Sequence, residues 1–364
     1  MITALLIAFL ASFATALLLV LTTRWHARFS ADAPGSGPQK LHERPTPRVG
    51  GIAIMVGFAL AVAVARVQLP SDRIADAPPW LTGWLILALF VPFAAGLLED
   101  LTKKIGAKLR LLATFIGAAI AYAFCDAALT RFDVAPLDAL IATVPLAPFV
   151  LTLFCVGAIA NACNLADGLN GLLAGLALCA CAAMGWVAWQ HNDVFLALSL
   201  ASLAAATSGF ALFNYPRARL FSGDGGAYLL GAAISIFAIL LVRRHADVSP
   251  WFVFALVLYP FTDTTAAIVR RLVRRRPIME PDAEHLHTLL AKRMKPRFGC
   301  HGANLASALI VASSGAACWL AFRWHLDQSA LIALSAAYVF AFALLYIRLS
   351  VKPAPTEPAI SDAD

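Results

Sequence analysis

Five short polar segments interrupt this chain of 364 residues, and they hold the residues best equipped for chemistry. The most specific runs Asn161-Ala-Cys-Asn164-Leu-Ala-Asp167-Gly168-Leu-Asn170-Gly171, with no Lys or Arg in it. Asn164 and Asp167 stand three apart, so a helical turn puts them on one face. Hard oxygen donors of this kind suit Mg²⁺ better than zinc. A turn rich in Asn, Asp and Gly explains the glycines but not the repeated amides. A second segment pairs Glu99 with Asp100 at the end of an apolar run, followed by Lys103, Lys104, Lys108 and Arg110. Two adjacent acids tend to have separated pKa values, which suits a base. The plainer alternative is a solvated loop with compensating lysines.

The third segment is Ser222-Gly223-Asp224-Gly225-Gly226, directly ahead of an apolar run. An Asp between glycines there can hold a cation that bridges phosphate oxygens, and free N–H groups at a helix start favour the anion itself. Read without a ligand, Asp224 is an N-cap. No Gly-Lys-Ser/Thr follows, so this is not a Walker-type phosphate loop. In the fourth, Asp263 lies in an apolar run, ahead of Arg270, Arg271, Arg274, Arg275, Arg276 and the pair His285-Leu-His287. Histidines two apart share a face only in extended structure. They read as phosphate or sugar contacts rather than zinc ligands. The fifth is Lys40-Leu-His42-Glu-Arg44-Pro-Thr-Pro-Arg48 with Gly50-Gly51, where His42, Arg44 and Arg48 suit phosphate. A basic stretch touching anionic lipid head groups is the alternative. No nucleophile elbow, HExxH or dinucleotide fingerprint is present. Carboxylates, amides, glycines and basic residues together are the equipment for phosphoryl transfer with a metal ion.

The elements that must position these groups are membrane helices. The chain is 61% apolar and 13% charged, against about 45–50% and about 25% in soluble domains. Such a chain cannot cover a globule with polar surface, which excludes a disordered chain, a disulfide scaffold and a nucleic-acid binder. The seven cysteines form no CxxC pair and no zinc spacing, and read as small buried hydrophobes. A spanning helix needs about 20 apolar residues. Eleven runs qualify, near 3–21, 50–67, 80–98, 109–128, 140–159, 172–189, 194–213, 227–242, 251–269, 304–322 and 330–347. The fifth holds Pro145 and Pro148, and the eighth is short. Asp263 then falls inside the ninth span, and an intramembrane acid marks a functional site by default.

No charge precedes the first span, while Arg24 and Arg28 follow it. It therefore reads as an anchor rather than a cleavable signal, with the N-terminus outside. In that orientation all but six of the 28 Lys and Arg fall on the cytoplasmic side, the six being Arg66, Arg73, Arg131, Arg243, Arg244 and Arg323. The five polar segments fall on that side too, and the C-terminus is cytoplasmic. Residues 1–350 form one all-α polytopic membrane domain, and 351–364 a short disordered tail.

The pieces HERPTPRVGG, GLLEDLTKKIGAKLR, NACNLADGLNG, SGDGG and PDAEHLH, in this order, resemble the polyprenyl-phosphate N-acetylhexosamine-1-phosphate transferases (glycosyltransferase family 4). These are relatives of the phospho-N-acetylmuramoyl-pentapeptide translocase. The resemblance covers Lys40 to about residue 290. It implies transfer of an N-acetylhexosamine 1-phosphate from a UDP-sugar to undecaprenyl phosphate in the bacterial inner membrane, with release of UMP. The branch is the one serving O-antigen-like surface glycans. The implied cofactor is Mg²⁺, with Mn²⁺ as a substitute. A homodimer is compatible with it. Carried over, the catalytic positions are Glu99, Asp100 and Asp167, and the metal positions Asn164 and Asp224. Substrate contacts fall on His42, Arg44, Lys108, Asn161, Asp263, His285 and His287. The family usually has Asp-Asp where this chain has Glu99-Asp100, and often a basic residue where Thr288 stands. Two rivals are a transporter of an anionic substrate and a non-catalytic family member. A transporter places its site near the midplane, often between internal repeats. Here the polar groups gather at one face and no repeat is visible.

Overall fold

In lipid every backbone N–H and C=O must be satisfied within the segment, so apolar runs of this length become helices. The computed structural model describes residues 1–32, 45–68, 78–277, 283–299 and 301–351. Ten helices among them are long and apolar enough to cross a membrane. They are α1 (Ile2–Leu21), α3 (Gly51–Gln68), α4 (Pro79–Thr102), α5 (Ala107–Cys125), α7 (Ala147–Ala166), α8 (Leu172–Gln190), α9 (Val194–Asn214), α10 (Gly223–Arg244), α14 (His301–Arg323) and α15 (Gln328–Ser350). Shorter helices are α2 (Thr23–Ser30), α6 (Ala135–Thr143), α11 (Pro250–Ala255), α12 (Leu258–Val273) and α13 (Leu286–Phe298). A two-residue antiparallel ribbon pairs β1 (Ala31–Asp32) with β2 (Thr46–Pro47).

Two expected spans are corrected. The ninth, 251–269, is not one helix but α11 and α12, broken at Leu256-Val257. Pro260 is the cause. It offers no N–H, and its ring would collide with the carbonyl of Leu256 one turn back. The fifth, 140–159, breaks before Pro145 and restarts as α7, whose second residue is Pro148. Proline is tolerated there because that N–H would be unpaired anyway. The restart moves the span toward the C-terminus and places Asn161 and Asn164 on its last turns rather than in a loop.

The eighth span, short in the sequence, is a full helix. α10 runs 22 residues and is buried along its whole length up to Val242, leaving only Arg243 and Arg244 toward solvent. It packs against α3, α4, α5, α7, α8, α9 and α11. Small residues along it allow that closeness; a methyl on Gly231 would meet the Cα of Ala160 in α7. At its far end Arg244 pairs with Asp193 at 3.1 Å and Arg243 with Asp126 at 3.4 Å. The two arginines that run against the charge bias are thus each neutralised locally. Around the core lie α1 on α3 and α9, and α14 on α8 and α13. α15 packs on α11, α12, α13 and α14.

Candidate active site

The C-terminal ends of α4 and α7 meet the N-terminal ends of α10 and α13 at one end of the bundle. The start of α10 sets the geometry. Its first N–H groups lack partners within the helix. Asp100, from the last turn of α4, supplies them: Oδ1 accepts from the N–H of Asp224 at 3.0 Å and Oδ2 from that of Gly225 at 2.9 Å. Asp100 is completely buried. Gly223 has φ +69°, a left-handed conformation that favours glycine. A side chain there would also strike the backbone of Arg48 and the Asp100 carboxylate. Asp224 is therefore not the cap of its helix, and its carboxylate is left for other partners.

Those partners are two arginines. Asp224 Oδ1 accepts from Arg48 Nη2 at 2.8 Å, and Oδ2 is in contact with Arg110 Nη1. Arg48 follows β2, where its own N–H donates to the carbonyl of Ser30 at 2.8 Å. Its Nε lies 3.6 Å from Asp100. Arg110, on the first turn of α5, lies over the ring of Tyr228.

Beside this group is a polar cavity of about 370 Å³, lined by Arg48, Arg110, Asn164, Asp167, Asp224, His285 and His287, among others. Asp167 caps the C-terminal end of α7 and accepts from the hydroxyl of Ser222. Burial pushes its carboxyl up to about 6, against the opposing effects of that hydrogen bond and of Arg48. Across the cavity His285 occupies the N-cap position of α13, in extended conformation. Its Nδ1 bonds Asp263 Oδ2 at 2.7 Å, and the N–H of Leu286 donates to Oδ1 at 2.8 Å. Nε2 of His285 has no hydrogen-bond partner. His287 stacks on His285 and shares a 3.0 Å hydrogen bond with the hydroxyl of Tyr259. Burial pulls its pKa down to about 4, so it is neutral at pH 7. Its Nε2 packs against Gly168, where any Cβ would collide with the ring.

The structure thus brings Asn164, Asp167, Asp224, His285 and His287 to one cavity, with Asp263 behind the histidines. Asn161 accepts from the hydroxyl of Tyr228 at 3.3 Å. Glu99 turns away from the cavity, its Oε2 accepting the N–H of Ile105 at 2.7 Å. Lys108 is exposed on the first turn of α5. His42 and Arg44 lie outside the described residues. Two cavity-side groups were not singled out from sequence. Ser222 holds Asp167. Asn214 ties the two loops together, accepting from Gly171 N–H at 2.6 Å and donating to the Leu220 carbonyl at 3.0 Å. Ser222 opens the SGDGG piece, but nothing local ties it to Asp167; Asn214 lies outside all five polar segments, and each acts through tertiary contact. The set fits a hexacoordinate, oxygen-seeking divalent ion: Asp224, Asp167 and Asn164 offer hard donors, and Mg²⁺ takes its remaining positions from water and phosphate. Among the described residues no three His, Cys, Asp or Glu side chains converge as a closed metal cage.

A second cavity of about 370 Å³ is apolar. It is a groove along α7 and α10, closed by Trp251, Phe254 and Phe261 of the broken helix pair. Its walls on α7 include Leu151, Phe154, Ala158 and Ile159, the last two between one and two turns before Asn164.

A bundle of membrane-length helices with a charged cavity at one end and an apolar groove along two of the same helices defines a polytopic membrane protein with one polar and one apolar cavity. Residues 82–242 match the family model described as glycosyl transferase family 4. The chain is 30% identical over 285 residues to the "Probable undecaprenyl-phosphate N-acetylglucosaminyl 1-phosphate transferase" of Bacillus subtilis (strain 168), covering 77% of this chain and 75% of that protein. It is 33% identical over 275 residues to the "Decaprenyl-phosphate N-acetylglucosaminephosphotransferase" of Mycolicibacterium smegmatis, covering 68% and 65%. To the "Undecaprenyl-phosphate alpha-N-acetylglucosaminyl 1-phosphate transferase" of Yersinia pestis it is 29% identical over 263 residues, covering 70% and 68%. The chain belongs to glycosyl transferase family 4.

Proposed function

We propose that this protein transfers an N-acetylhexosamine 1-phosphate from a UDP-sugar to undecaprenyl phosphate, releasing UMP. The observation that carries this reading is that the two cavities are built on the same two helices. On α7 the groove takes residues 151–159 and the polar cavity Asn164 and Leu165; on α10 the groove takes residues 234–239 and the polar cavity Gly223 and Asp224. A prenyl chain in the groove delivers its phosphate to Asp167, Asp224 and the arginines. The relatives' names, all polyprenyl-phosphate N-acetylglucosamine phosphotransferases, support the same reaction class.

An oxygen of the lipid phosphate attacks the β-phosphorus of the donor. The new P–O bond forms as the bond to the bridging oxygen breaks, and UMP leaves with the electron pair. Arg48 and Arg110 face the diphosphate and stabilise its charge, the usual source of rate in phosphoryl transfer. Mg²⁺, when bound, would add the charge neutralisation of a divalent ion, held by Asp224 with Asn164, which leaves Asp167 to handle the proton. Asp167 takes the proton from a monoprotonated lipid phosphate; a carboxyl raised to about 6 is matched to that task near neutral pH. Asp100 fixes the start of α10, and Glu99 the turn beyond α4. His285, held by Asp263, keeps Nε2 for the nucleotide sugar.

The site opens to the cytoplasm of a bacterial inner membrane, as the Lys and Arg distribution supports. The product starts a cell-surface polysaccharide of the O-antigen kind. The test is UMP release by purified protein with Mg²⁺, undecaprenyl phosphate and a panel of UDP-N-acetylhexosamines. Release that requires the lipid and is lost in Asp224→Asn and Asp167→Asn supports the reading. No release from any donor by folded protein, in a buffer where a relative works, overturns it.

A further inference from the structure

Both oxygens of Asp224 are already taken by guanidinium nitrogens, Oδ1 by Arg48 and Oδ2 by Arg110. The Asp224 side chain is 10% exposed, Arg110 14% and Arg48 28%. A carboxylate this enclosed cannot stand without a counter-ion, because the desolvation cost is uncompensated. Each oxygen keeps a lone pair for a metal, but a divalent cation there would sit against a guanidinium, so its binding favours displacement of at least one arginine. Arg110 carries a second sign that its present arrangement is unfinished: its Nε is buried with no hydrogen-bond partner, at the wall of the polar cavity. A planar guanidinium is made for paired phosphate oxygens. Among the described residues, Asp100 beside the pair is spent on the α10 N–H groups and Asp167 is bonded to Ser222.

We propose that Arg48 and Arg110 are exchangeable counter-ions of Asp224: they hold its charge in the free protein and pass to the donor's diphosphate, which releases Asp224 to the divalent cation. Cation and nucleotide sugar then bind cooperatively, each raising the affinity for the other by the same factor. A bare cation competes with two fixed positive charges; a cation arriving with a diphosphate does not. This rests on the donor class proposed above.

The test uses full-length protein in nanodiscs, with Mn²⁺ as probe and free Mn²⁺ read by electron paramagnetic resonance, without lipid acceptor. In wild type, saturating UDP-N-acetylglucosamine tightens Mn²⁺ binding by about tenfold or more, within the usual range of such couplings. Arg110→Gln and Arg48→Gln each bind Mn²⁺ several-fold tighter than wild type when no donor is present, and the donor's effect shrinks toward none. Arg110→Lys, which keeps the charge, stays near wild type without donor. Thermal unfolding gives a second readout. Arg110→Gln melts lower than wild type and recovers with Mn²⁺, as an exposed counter-ion vacancy filled by the cation requires. Unchanged or weaker Mn²⁺ binding in both Gln variants, with the donor's effect intact, overturns the proposal. So does an Asp224→Asn protein that binds Mn²⁺ like wild type. Because no turnover is needed, a protein that behaves as expected here yet releases no UMP keeps the exchange and loses only the transferase reading.

Discussion

Asp100 holds Asp224 by its backbone and not by its side chain. The 3.0 Å bond from the Asp224 N–H to Asp100 Oδ1 turns one acid into the scaffold for another. The two carboxylates, from sequence a catalytic candidate and a metal candidate, therefore differ in kind. One is enclosed and fully bonded; the other faces the cavity and two arginines.

Asp100→Asn separates these roles. The amide keeps one acceptor for two N–H donors and removes the negative charge from the helix start. The expected cost is about 1–3 kcal/mol of stability from the unpaired buried N–H and the lost charge. Thermal unfolding reads it, and UMP release falls along with it. Asp224→Asn lacks that link, since its backbone bond to Asp100 survives: activity goes while the capping contact stays. Equal unfolding losses in the two variants would count against this division.

Asp167 predicts an acid limb in the pH profile of UMP release. Its carboxyl is raised to about 6, so protonation below that value removes the base and activity falls as pH drops through it. Stability moves the other way. A folded-state pKa above the unfolded one of 3.8 means the folded state binds the proton more tightly. This group's contribution is fully present below about 3.8 and lost as pH rises through about 6. His287, pulled down to about 4, adds no charge change across the assay range. A limb that persists at about 6 in Asp167→Glu but shifts with His287→Gln would reverse the assignment.

Gly168→Ala tests the histidine wall. The new methyl must push His287 aside, and with it the stack on His285 and the bond to Tyr259. KM for the nucleotide sugar should rise about tenfold, equivalent to ~1.4 kcal/mol of binding. KM for the lipid should change little, because neither Gly168 nor His287 lines the groove.

Ala158→Trp tests the groove. The indole fills apolar space along α7 without reaching the charged cavity. KM should rise for undecaprenyl phosphate and much less for a short-chain prenyl phosphate. An equal rise for both acceptors would place the chain elsewhere.

The bundle was legible because membrane helices need only length and apolarity: ten of the eleven runs form spanning helices, the fifth displaced toward the C-terminus. Asn164 with Asp167, and His285 with His287, were legible because each pair is close in sequence and one local conformation brings it together. The break before α12 had a signal in Pro260, but average apolarity runs straight through a proline. What could not be read was partnership across the fold. Nothing in Arg110 or Arg48 announces Asp224, which lies 176 residues from Arg48 along the chain. Glu99 and Asp100 are neighbours in sequence, yet one helical step turns them to different surroundings. Only the packing of α4 on α10 decides which is which.

The enclosure of α10 has a consequence for biogenesis. Of the helices it touches, α3, α4, α5, α7, α8 and α9 are made before it, and only α11 after. A ribosome therefore delivers α10 into a socket whose walls already exist. Its leading end brings Gly223 and Asp224 to an Asp100 already in place. The polar cavity is thus closed in two later steps, the insertion of α10 and then the arrival of His285 and His287 at the start of α13, and a chain stalled before residue 223 contains the socket without either.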